Sequence, residues 1–101
     1  MEKTDRVSII IAFNAAVAKD DAVAIKDLLQ QYPDPNKGPL DQSVLFINFQ
    51  RAIDQGSREA VDLILRHSEL LGLVGEDTLQ MHANFKGKIP LLQDVLKGLK
   101  N

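Results

Sequence analysis

An all-α fold, built as a short solenoid of three helix-turn-helix repeats, is predicted by three observations. Apolar residues recur at helical spacing: Ile25, Leu28, Leu29 and Tyr32 fall at i, i+3, i+4 and i+7, and so do Leu92, Val95, Leu96 and Leu99. The chain also overlays on itself without gaps. FNAAVAKDDAVAIKDLLQQY (13–32) lies over FQRAIDQGSREAVDLILRHS (49–68), 36 residues later, and QMHANFKGKIPLLQDVLKGL (80–99) follows 31 residues after that. A period in the low thirties with a helix pair per unit marks stacked repeats. Finally, each copy carries an alanine (Ala16, Ala52, Ala83) followed four residues later by a break at Asp20, Gly56 or Gly87. One domain spanning 1–101 is expected, with repeats at about 5–36, 42–70 and 76–99.

Taken in order, the first helix is expected over residues 4–19, with Thr4 or Asp5 as its cap. Ile10, Phe13 and Val17 make its stripe. Ile9 to Ile11 sweep about 200 degrees of surface, which calls for a second contact, either the next repeat or a partner. Lys19 to Asp21 break the chain before a helix over 22–31, which Pro33 stops. YPDPNKGPLD (32–41) is a stiff, exposed loop. Asp41 or Ser43 caps the third helix, whose run from Val44 to Phe49 is apolar on most sides and belongs in the centre. It ends at Gln55, and Gly56 makes the turn. Ser57 caps the fourth helix, which gathers Ala60, Val61, Ile64 and Leu65 on one face and pairs Asp62 with Arg66 on the other. LLGLVG (70–75) is an apolar connector expected to fold inward. A helix from Glu76 to Phe85 follows, then a last one with Pro90 tolerated in its first turn.

Such helices are too short to persist alone in water, so each must bury its stripe against another. Their composition permits it. Hydrophobic residues make up 45% of the 101-residue chain and charged residues 26%, the balance of a folded globule and not of a disordered segment. A net charge near −2 supplies no field to draw nucleic acid or anionic lipid. The absence of cysteine excludes disulfides, thiolate metal sites and cysteine nucleophiles. MEKTDR, VSIIIAF and the small residues Ala16 and Ala18 have the order of a secretory signal. However, Glu2 and Asp5 cancel Lys3 and Arg6, and Asn14 interrupts the apolar run, so a cytoplasmic chain is expected.

The alanine, the turn glycine and the paired aliphatic positions, clearest in residues 49–68, resemble the ankyrin repeat. The family's T-P-L-H signature is replaced by IAFN, INFQ and LQM, and Asp20 stands at the first turn. The resemblance implies a non-catalytic protein-interaction module with a concave binding face. It also implies partner contacts at two exposed positions after each alanine: Ala18 and Lys19, Asp54 and Gln55, Phe85 and Lys86. Phe85 has two readings, an aromatic anchor on a polar groove or a ring turned inward to close the stack. A second expectation is self-association into a homodimer through Ile9 to Ile11 or the last leucine helix, since neither end shows a polar cap.

Catalytic and metal chemistry find little purchase. His67, at the end of the fourth helix, reads as a solvent histidine favoured by the helix dipole, and His82 as a packed side chain. Two histidines without cysteine or HxxxH spacing do not make a zinc site, and the aspartates lack calcium-loop spacing. No phosphate loop, nucleophile elbow or nucleotide fingerprint occurs. Lys86, Lys88, Lys97 and Lys100 form a solvated basic face without aromatic platforms. No cofactor, metal, nucleic acid or membrane is expected as a ligand.

Overall fold

Helix formation follows the apolar periodicity closely. The computed structural model describes residues 2–68 and 70–100. The elements are α1 (Glu2–Ala18), α2 (Ala22–Gln31), α3 (Gln42–Gln55), α4 (Arg58–His67), the single turn α5 (Leu70–Leu73), α6 (Glu76–Phe85) and α7 (Ile89–Lys100). No strand occurs among the described residues. Because α1 begins at Glu2, Thr4 and Asp5 lie within its first turns and do not precede it, and their side chains lie outside the described residues. No described helix is long and apolar enough to cross a membrane.

Each of α1, α3 and α6 packs against the helix that follows it, α2, α4 and α7 respectively. Laterally, α3 lies beside α1, and α4 lies between α2 and α7. Two layers result, in a body of 42 × 26 × 24 Å. Phe13, Val17, Ile25, Leu45, Phe49, Ile53, Val61, Ile64, Leu79, Leu92 and Val95 are wholly enclosed and form one continuous core. Polar ties run between neighbours as well. Buried Asn48 donates through Nδ2 to Asn14 Oδ1 (2.7 Å) and to Val44 O (2.9 Å), fastening α3 to α1. Arg58 pairs with Asp94 and joins α4 to α7; that hydrogen bond, with the charge of Asp94, raises the guanidinium above its ordinary pKa.

The three breaks share one construction. Asp20, Gly56 and Gly87 have φ of 54°, 76° and 71°. At each, the next residue donates its backbone N–H to the carbonyl of the alanine five positions back: Asp21 to Ala16 and Ser57 to Ala52 at 2.9 Å, Lys88 to Ala83 at 2.6 Å. The left-handed residue itself donates to the carbonyl three positions back, at 3.0 Å in every case. This is the double closure that ends a helix at a left-handed residue, and it satisfies carbonyls left over by the helix. An L-residue there is strained where glycine is not. Asp20→Gly is therefore expected to stabilise the fold by about 0.5–1 kcal/mol, a rise of roughly 2–6 °C in thermal unfolding. Gly56→Ala is expected to lower stability by about 1 kcal/mol. Circular dichroism melts of both variants check the pair, and an unchanged midpoint for Asp20→Gly would contradict the strain argument.

Some expectations are corrected. Asp41 caps α3, its carboxylate accepting from Val44 N at 3.0 Å, but the Ser57 hydroxyl makes no cap bond to α4 and accepts from Gln55 Nε2 instead. The connector folds inward only in part: Leu70 is buried, whereas Leu73 is largely exposed. Ile9 and Ile10 are half-buried and Ile11 is exposed, because α1 has neighbours on one side only. In α7, Leu92, Val95 and Leu96 are spent on the core, and Leu91 and Leu99 are half-buried against it.

Candidate functional site

The C-terminal ends of α1, α3 and α6 carry the six positions singled out from the sequence. Ala18 and Lys19 are exposed, and neither is linked by a side-chain hydrogen bond or ion pair to the other four. Gln55 is a structural tie, donating through Nε2 to Val17 O and to Ser57 Oγ, both at 3.0 Å. Asp54, Phe85 and Lys86 are brought together. Lys86 Nζ lies 3.6 Å from Asp54 Oδ1 and 5.8 Å from the centre of the Phe85 ring. Phe85 is 84% exposed, which removes the reading in which it turns inward.

Exposure of a phenylalanine follows from the register of α6. Leu79 and Ala83 face the core, so Thr78, Met81 and Phe85, at i, i+3 and i+7, face away from it. Because α3 and α6 touch over only a short stretch, a hollow opens between them. It has a volume of about 310 Å³ and is lined by Phe46, Gln50, Thr78, Met81, His82 and Phe85. Behind it the Phe46 and Phe49 rings stack at 6.3 Å with 7° between planes, and the His82 imidazole tilts at 49° against Phe49. Phe46 and Met81 were hidden in the sequence. Phe46 stands inside an unbroken apolar run that reads as core, and only the Thr78, Met81, Phe85 spacing signals a second stripe on α6.

Two properties bear on chemistry. His82 Nε2 is enclosed without a hydrogen-bond partner among the described residues, with Asp54 Oδ1 4.0 Å away, beyond hydrogen-bond reach. Thr78, His82 and Asp54 therefore form no proton relay as they stand. Across the molecule a roomier cleft of about 450 Å³ lies between α2 and α4, walled by Lys26, Leu29, Leu63, Arg66 and half-buried His67. His67 is thus a wall side chain and not the fully solvated histidine expected. Of the two cations that wall the cleft, Lys26 and Arg66, Asp62 neutralises Arg66 at 2.8 Å. Among the described residues, no three histidine or carboxylate groups gather in metal-binding range.

No family model, curated protein or solved structure matches the chain.

Proposed function

We propose that the chain is a non-catalytic protein-interaction module, an ankyrin-like stack of three helix pairs that receives a partner protein on the face formed by the ends of α3 and α6. The repeat reading is supported by the three equivalent helix ends at Ala16, Ala52 and Ala83. The observation that carries the functional reading is Phe85, 84% exposed beside an apolar hollow. A large aromatic side chain left in water forgoes about 1.5–3 kcal/mol of burial, which an interface recovers. Aromatic anchors next to preformed hollows are where binding energy concentrates. Asp54 and Lys86 supply a polar edge that orients a partner without attracting anions generally.

Affinity capture with the tagged chain, comparing wild type and Phe85→Ala, tests this. The variant is expected to unfold within about 0.5 kcal/mol of wild type, because the ring is exposed. It is also expected to lose captured partner by at least about ten-fold. Lost stability together with unchanged capture would reject the anchor role.

A further inference from the structure

We propose that the cleft between α2 and α4 binds a small amphipathic monoanion, an aromatic carboxylate whose ring lies on a leucine floor and whose charge sits at Lys26. The site is separate from the α3–α6 face and does not depend on what that face binds.

The cleft has both the size and the makeup of a ligand site. Its volume of about 450 Å³ lies within the roughly 300–1,000 Å³ of small-molecule pockets, which pair an apolar lining with a few polar groups. Helix register supplies that combination here. Lys26 and Gln30, four apart on α2, share a stripe that faces Leu63 and Arg66, three apart on α4. Buried Leu29 and half-buried Leu63 make the floor, and exposed Lys26, Gln30 and Arg66 stand around it. A flat ring covers the two leucines while its carboxylate stays within reach of an exposed ammonium.

Charge selects an anion, and a single one. Among the described residues the cleft is walled by two cations and no carboxylate. Asp62 already engages Arg66 at 2.8 Å, whereas the Lys26 ammonium has no ion-pair partner among the described residues. One unmatched positive charge therefore faces the leucines. Glu59 and Asp62 line an adjoining hollow of about 220 Å³ that shares Lys26 and Leu63 with the cleft, and they repel a second negative charge placed there. At the opposite side, Gln30 and His67 belong to the last turns of α2 and α4, where the helix dipoles also disfavour an anion. Lys26 lies a turn earlier. The carboxylate is thus held at Lys26, and the ring extends over Leu29 and Leu63 towards Pro33.

Titration of the full chain with 2-naphthoate, followed by proton–nitrogen correlation spectra, decides. Amide signals of Lys26, Leu29, Gln30, Leu63 and Arg66 are expected to shift and saturate, with a dissociation constant on the order of 0.1–1 mM for a ligand of this size. Lys26→Gln, at an exposed position, should keep the fold and weaken 2-naphthoate at least about five-fold. Uncharged 2-naphthamide should bind wild type and Lys26→Gln within about 1.5-fold of each other, which a merely structural role for Lys26 would not give. Lys97→Gln removes an exposed ammonium elsewhere and should leave 2-naphthoate within about 1.5-fold of wild type. Naphthalene-2,6-dicarboxylate should bind no more tightly than 2-naphthoate. Absence of saturable shifts up to about 10 mM overturns the site. So do shifts centred on Phe46, Met81 and Phe85, a Lys26→Gln variant that binds 2-naphthoate as wild type does, or equal weakening of the acid and the amide. Shifts of the same signals with protein concentration alone would place a second copy in the cleft, and a peptide carboxyl terminus binding over about ten-fold more tightly would place a protein there. Either result overturns the small-molecule assignment.

Discussion

Phe49→Ala is expected to remove about 3–5 kcal/mol of stability. Phe49 is wholly enclosed on α3, stacked behind Phe46 and in ring contact with His82 of α6. It therefore contributes to the core that α3 shares with its neighbours and to the slender α3–α6 contact at once. Truncation forfeits the transfer energy of the ring and leaves a cavity that three helices cannot close together. Domains of this size hold about 5–15 kcal/mol in all, so the variant should sit near its unfolding midpoint under mild conditions. In urea the midpoint should fall by roughly 2 M with the slope little changed. Phe49→Leu, which keeps much of the volume, should recover over half of the loss. A drop below about 1 kcal/mol for Phe49→Ala would mean that the ring is not enclosed as described.

Why some of this was readable in the sequence and some was not is a matter of range. A helix stripe is set by residues three and four apart, so Ile25 with Leu29 and Leu92 with Leu96 announced their buried faces directly. The turns were legible for the same reason: Gly56 and Gly87 permit a left-handed residue, and the overlay assigned the same place to Asp20 without a glycine to mark it. Asn48 was not legible. A polar residue within an apolar run discloses neither its burial nor its partner Asn14, 34 positions away. The hollow was equally hidden, because it depends on how far apart α3 and α6 lie, which no local pattern encodes. Phe85 was marked by its distance from Ala83, but Met81 and Phe46, which give that ring its surroundings, were not.

Ala52→Leu tests the packing that brings the helices into register, and it is expected to cost about 1–3 kcal/mol. Ala52 has no exposed surface, and its carbonyl closes the left-handed turn at Gly56. Helices approach to 8–10 Å according to the side chains between them, and alanine permits the near end of that range. A leucine there has no empty volume to enter, so α3 must move away from its neighbours. Two polar ties between α3 and α1 report that movement: Asn48 Nδ2 to Asn14 Oδ1 at 2.7 Å, and Gln55 Nε2 to Val17 O at 3.0 Å. Their side-chain amide protons should exchange faster with solvent in Ala52→Leu, whereas the Arg58 pairing with Asp94, which links α4 to α7, should be unaffected. Ala18→Leu adds the same atoms at an exposed position and should change stability by less than about 0.5 kcal/mol. Equal effects at the two alanines would show that close approach at Ala52 does not set the spacing of the layer. The turn at Gly56 would then owe its geometry to glycine alone, and α1 and α3 would be free to shift without disturbing it.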